Sequence, residues 1–347
     1  MTTLSQIQPA LDLNVVVSEG IRSLVTVIAG GHEFAIDTEH INAVYQMARS
    51  QMGEEQSVVD TPDGKLPMLS LAAVLADEMG LPVENTDNER TLIVIHYGDQ
   101  SAVLRVDSVS RPISLKQDSF FGLPRVAHTT DDRNLLSSIA VLDWKIEDPN
   151  EAIRLVVDPL AVLGFREAAE PERTQRGETA PIDLSKNDKS NVLGNNSLQG
   201  QILAFSPENV PRSDLDYVFC LPLAGVAEVV SVYNSMAMPF QSTIFQGFIL
   251  WRKRPIPVVN LGEVFGQQSA FKPNQRVRDR ARRLIIARAS GGRYVGFYAQ
   301  KQMHSMKTPS ASTVEFESLK GTPNFGAFKT DFGTMVVPDL SRILDNR

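Results

Sequence analysis

The sequence predicts an all-β protein with a few short helices, divided into two related domains. Three observations carry this. Short apolar runs bounded by Gly, Pro, Asn or Asp recur along the chain, as strands do. The runs of the first half return in the same order in the second. Between the halves, Arg166 to Gln201 is polar, lacks any helical or strand period and is rich in Ser, Asn, Gly and Pro. Such a segment buries too little apolar surface to offset its ordering entropy, so it is expected to be a flexible tether. The expected organisation is a tail over 1–20, a first domain over 21–165, a linker over 166–201 and a second domain over 202–347. A chain of 347 residues has room for both.

In chain order, the first hairpin is expected at Gly30-Gly31, between Val25–Ile28 and Glu33–Ile36. Leu71 to Met79 is expected to be helical. Leu71, Val74, Leu75 and Met79 share one face, Ser70 can cap the start, and Gly80 with Pro82 can end it. Leu92–Tyr97 and Ala102–Val106 flank Gly98-Asp99 as a second hairpin. In the second half, Leu284–Arg288 and Tyr294–Tyr298 flank Gly291-Gly292 in the same manner.

Four apolar blocks argue for an internal duplication. Phe34-Ala35-Ile36 matches Phe219-Cys220-Leu221 at an offset of 185, and Leu66 to Leu71 matches Ile256 to Leu261 at 190. Thr91 to Ile95 matches Arg283 to Ala287 at 192, and Leu155-Val156-Val157 matches Met335-Val336-Val337 at 180.

Composition excludes several functions. Hydrophobic residues make up 42% and charged residues 22%, which suits a globular chain rather than a disordered one. The net charge of −7 argues against a nucleic-acid binder. No run reaches the length a membrane span needs, and Met1 to Gly20 shows no basic leader or continuous apolar core, so a cytoplasmic protein without membrane insertion is expected. Cys220 is the one cysteine, which rules out an internal disulfide. Placed between Phe219 and Leu221, it is expected to be a buried, inert thiol.

Catalytic constellations are missing. His32, His40, His96, His128 and His304 show no metal-ligand spacing, and no P-loop, Gly-x-Ser-x-Gly or Rossmann fingerprint occurs. No cofactor is implied. Asp131-Asp132 is expected to be a solvated turn rather than an acid–base pair. Lys272 to Arg283 carries six basic residues and one acid, with arginines alternating at 276, 278, 280 and 282. It is either a solvated loop before a strand or a contact for an acidic protein surface.

One family accounts for the remaining motifs. In the second half, Phe219-Cys220-Leu221 is followed by Val226-Ala227-Glu228-Val229, then Met238-Pro239. Gly247-Phe248-Ile249-Leu250-Trp251-Arg252 and Ile256-Pro257-Val258-Val259-Asn260-Leu261 complete the order. In the first half, Ala102 to Val109 contains Val106-Asp107-Ser108-Val109. Both halves close on an apolar run and an aspartate, Asp158 and Asp339. This order resembles the CheW family of bacterial chemotaxis coupling proteins. The resemblance implies that each domain is a pair of SH3-like β-barrels without a catalytic site. It implies an adaptor whose partners are the regulatory domain of a CheA-type histidine kinase, the cytoplasmic tips of methyl-accepting chemoreceptors and other CheW-like domains. Recruitment to membrane-associated receptor arrays would follow.

Neither half keeps the whole family pattern. The second has Glu228 and Arg252 at the acidic and basic positions, but Lys253 where the family has Gly. The first has Ala43 and Pro62 at those two positions, yet keeps Asp107, where the second has Gln300. The candidate interaction residues are therefore Glu228, Gly247, Trp251, Arg252 and Asp107. Arg252 is either a partner contact or half of an ion pair that fixes the barrel. Trp251 belongs either to a rim or to a core. Asp107 is expected to stabilise a turn. The split of motifs suggests that the two halves bind different partners. Loss of the arginine from the first half leaves a second possibility, a factor that occupies kinase or receptor surfaces without coupling them.

Overall fold

The computed structural model describes residues 20–47, 57–61, 64–82, 90–127, 135–165, 200–208, 217–232, 235–236, 238–239, 242–266, 282–307, 312–314, 319–330 and 333–345. The chain divides into two compact units, the first mostly residues 1–123 and 128–174, the second mostly 175–238 and 242–347. Among the described residues no helix is long and apolar enough to cross a membrane. The linker segment 166–199 and Asp131-Asp132 lie outside the described residues.

In the first unit, β1 (Ile21–Ala29) and β2 (His32–Asp37) form the expected hairpin, with Ala29 opposite His32. Its two-residue turn needs positive φ at both centres, which Gly30 (59°) and Gly31 (83°) adopt without a Cβ clash. β3 (Ile41–Gln46), β4 (Val58–Thr61) and β5 (Gly64–Ser70) follow, then β6 (Thr91–Tyr97) and β7 (Gln100–Val106). These five make one curled sheet in the order β3-β6-β7-β5-β4. β8 (Ser108–Val109), β9 (Ile113–Lys116), β10 (Phe120–Gly122), β11 (Leu136–Val141) and β12 (Ile153–Val157) return to β1 and β2. They make a second sheet, β10-β11-β12-β2-β1-β8, with β9 also on β1.

The helix α1 (Leu71–Met79) forms where expected. The Ser70 hydroxyl accepts from the Ala73 N–H at 3.0 Å, and the Gly80 N–H returns to the Ala76 carbonyl at 3.0 Å. Leu71, Leu75 and Met79 are buried while Val74 is half-buried. Burying each such side chain contributes roughly 1.5–3 kcal/mol, so the helix is held by packing on its inner face.

The second unit repeats this plan. β13 (Gln201–Pro207) and β14 (Val218–Pro222) match β1 and β2. β15 (Val226–Val232), β16 (Phe245–Trp251), β17 (Arg254–Val259), β18 (Arg282–Arg288) and β19 (Tyr294–Lys307) match β3 to β7. β20 (Ser312–Val314), β21 (Asn324–Thr330) and β22 (Gly333–Pro338) complete it. In the first unit the chain breaks between β7 and β8 at Asp107. In the second, β19 runs unbroken for 14 residues, pairing β18 with its first half and β13 with its second. The two sheets are therefore joined into one.

Strand registers show how far the duplication extends. Val94 pairs with Ala43 and Ile286 with Glu228, each just past a bulge, so Ala43 and Glu228 are equivalent. Thr61 opposes Gly64 as Trp251 opposes Arg254, which puts Pro62 at the position of Arg252. Pro62 itself lies outside the described residues. In the closing strand the register corrects the sequence match. Leu155 pairs with Phe34 and Val336 with Phe219, both in parallel. The offset there is 181, not 180. This also aligns Asp158 with Asp339, and each caps a short helix. The Asp158 carboxylate accepts from Leu160 and Ala161 N–H, and the Asp339 carboxylate from Ser341 and Arg342 N–H.

Candidate protein-interaction site

Glu228, Trp251 and Arg252 converge at one end of the sheet formed by β15 to β19. Glu228 sits just past the bulge of β15, Trp251 ends β16, and Arg252 begins the tight turn into β17. Trp251 Nε1–H and Arg252 Nη2–H both donate to Glu228 Oε2, each at 2.9 Å. The Arg252 guanidinium lies 4.8 Å from the centre of the Trp251 ring. Arg252 stays 68% exposed and Glu228 39%, so water screens the pair. It fixes the side chains' directions more than it stabilises the fold.

Beneath them lies the core of this half of the unit: Ile249, Ile256, Val258, Leu284, Ile286 and Tyr298. Trp251 and Tyr294 are half-buried against it and 5.2 Å apart, so they close its open end. Trp251 thus joins the two roles weighed for it: its inner face packs on the core and its edge reaches solvent. Arg254 and Arg288 flank Tyr294, with guanidiniums 6.0 and 5.9 Å from the ring centre. These three residues were not among the sequence candidates. The signal lay in the hairpin around Gly291-Gly292, whose register sets Arg288 opposite Tyr294.

Gly247 acts through its backbone. It occupies a bulge of β16 at φ 106°, and a Cβ there would fall 1.9 Å from the Met236 carbonyl oxygen. Only glycine lets the Met236 segment pair with Phe248, through N–H···O bonds of 2.7 and 3.3 Å. Asp107 belongs to the first unit. Its carboxylate accepts from the Gly31 N–H at 3.3 Å and its own N–H donates to the Ile28 carbonyl at 2.8 Å. That is the expected turn-stabilising arrangement.

Of the basic run, residues 272–281 lie outside the described residues. Arg282 is not a solvated charge. It donates to Glu208 at 2.5 Å, its guanidinium lies 3.4 Å from the centre of the Tyr298 ring, and its side chain is only 12% exposed. Burial raises the Tyr298 hydroxyl above its ordinary range, and Arg282 partly opposes this. Cys220 is buried, and burial pushes its thiol up to about 12. Among the described residues no group of His, Cys, Asp and Glu is placed to hold a metal.

The CheW-like domain family model matches residues 23–166 and again 214–347. The chain belongs to the CheW-like domain family. It is a tandem of two such domains, each built on the SH3-like barrel fold of a family of non-enzymatic chemotaxis scaffolds. Among solved structures it is similar to the scaffolding protein TtCheW from Thermoanaerobacter tengcongensis, at 20% identity and a TM-score of 0.31, covering 42% of this chain and 92% of that one. No curated protein matches.

Proposed function

We propose that this tandem CheW-like protein is a non-enzymatic adaptor that couples chemoreceptor tips to the regulatory domain of a CheA-type histidine kinase. One observation carries the reading: two CheW-like regions share a chain, and only the second presents the Glu228–Trp251–Arg252 constellation. In this reading the second domain makes one interface through Arg252 and the first makes another, near its own second barrel. The polar segment 166–201 tethers them, which raises the effective concentration of one domain near the other's partner. The protein works in the cytoplasm at receptor arrays.

The test is capture of a purified kinase regulatory domain and a receptor tip by the full chain and by its Arg252→Ala variant. Selective loss of one capture supports split interfaces. Failure to capture either partner removes the coupling function.

Loss of the arginine from the first half, where Pro62 stands, favours a second reading, a competitor that occupies array surfaces. Restoration of ligand control in a reconstituted array lacking other couplers would exclude it.

A further inference from the structure

The end of the second unit's barrel gathers positive charge that the fold itself does not need. The first unit builds the same five-stranded sheet, in the same register, without it. Where the second unit has Glu228, Trp251 and Arg254, the first has Ala43, Thr61 and Gly64. Where the second has Arg288 opposite Tyr294, the first has His96 opposite Ser101. That side of the first unit satisfies itself: Thr61 donates to the Gly64 carbonyl at 2.9 Å, and His96 meets Ser101 at 2.5 Å.

In the second unit, Arg252, Lys253, Arg254 and Arg288 are all exposed around the half-buried Trp251 and Tyr294. The turn adds a second observation. Arg252 (φ 48°) and Lys253 (φ 60°) are the two non-glycine residues with positive φ among the described residues. Both centres of this two-residue hairpin turn require that conformation, for which Asn and Gly are the usual residues. Backbone held in a sparsely populated region is characteristic of sites of recognition. Here the strain keeps two cationic side chains at the rim.

We propose that this barrel mouth is a docking surface for a carboxylate-rich segment of a partner protein that also offers an apolar side chain to Trp251 and Tyr294. That the partner is a protein rests on the adaptor reading; the chemistry of the segment rests on the mouth. Glu228 already shows how the mouth holds a carboxylate, with one oxygen taking both an indole N–H and a guanidinium N–H. Arg254 and Arg288 add two further cationic donors on the other side of Tyr294, where their charge attracts carboxylates. The net charge of −7 opposes the long-range approach of a nucleic acid, whereas a short acidic segment meets mainly the local field.

The experiment uses the full chain, a labelled glutamate-rich peptide with one central leucine, an oligonucleotide of equal charge and the kinase regulatory domain. The charge-reversed variant R254E/R288E is compared with R254K/R288K, which keeps the charge and reports on folding. The proposal expects peptide binding that weakens as salt rises, falls about tenfold or more on reversal and persists in the lysine variant. Peptide binding unchanged by reversal overturns it, as does equal, equally sensitive binding of the oligonucleotide. If the kinase domain is captured but reversal leaves that capture and the peptide unaffected, the adaptor reading stands and the mouth proposal fails. If the peptide is bound as expected but the kinase domain is not, the mouth proposal stands and the adaptor reading fails.

Discussion

Ala43 and Glu228 occupy one and the same place in two copies of a barrel: each lies just past a bulge, opposite Val94 and Ile286 respectively. The first copy closes its sheet with a methyl group where the second has a carboxylate. The Glu228–Arg252 pair is therefore dispensable for folding this architecture. Glu228→Gln should lower stability by no more than about 1 kcal/mol, as exposed pairs do, while reducing capture of the partner that depends on Arg252. Urea unfolding beside a capture assay checks this. A loss of several kcal/mol would show that the pair holds the barrel together.

The turn at Lys253 makes an opposite prediction about stability. A non-glycine residue in the left-handed region costs about 1 kcal/mol or more, and Lys253 is held there at φ 60°. Lys253→Gly should stabilise the protein by roughly 1 kcal/mol, offset in part by the greater entropy of glycine in the unfolded chain. A shift of the unfolding midpoint to higher denaturant is the expected result.

Gly247→Ala should be the most damaging single change in this region. The new Cβ meets the Met236 carbonyl oxygen at 1.9 Å, a backbone atom that cannot swing aside. Loss of the bridge between Met236 and Phe248 and the strain at φ 106° together predict a cost of at least about 2 kcal/mol. Hydrogen exchange should localise the damage to β16.

Cys220 links pH to stability. Burial raises its pKa from 9.0 to about 12 in the folded protein. The folded state thus keeps a proton that the unfolded state gives up. The stability from this group is complete below about pH 9 and declines as pH rises from there toward 12. Cys220→Ala should remove that part of the alkaline decline. The variant should fold, since Ala35 stands at the equivalent position of the first unit, opposite Thr26 as Cys220 is opposite Ala204. Denaturation midpoints at pH 8 and pH 10 test the sign.

Asp107→Ala should loosen the Gly30-Gly31 hairpin, at a cost of about 1 kcal/mol, because the Gly31 N–H loses its carboxylate acceptor. Partner capture should be unchanged. A selective loss of capture with normal stability would instead make Asp107 an interface residue.

The hairpins and α1 were legible because their signals are local. Gly30-Gly31, Ser70 and Gly80 each act within a few residues of where they stand. The equivalences of Ala43 with Glu228 and of Pro62 with Arg252 were legible because bounded apolar blocks lie on either side. The closing strand was read one residue out of register. Leu155 to Val157 and Met335 to Val337 are uniformly apolar and buried, so nothing in the runs themselves marks which face is which. Of Arg254, Arg288 and Tyr294, only the pairing of Arg288 with Tyr294 had a local signal, the hairpin at Gly291-Gly292. All three come together only through the pairing of two separate hairpins, and no spacing along the chain reports that.

The unbroken β19 gives the second domain a mechanical character that the first lacks. One 14-residue beam is nailed into both of its barrels. Detaching β19 from one barrel pulls on a strand that the other shares. The amides of β13 and β18 should exchange with a common opening free energy, as a single cooperative block. Arg288, paired with Tyr294 at the start of this strand, and Gln201, paired with Lys307 at its end, are thus held by one continuous piece of backbone.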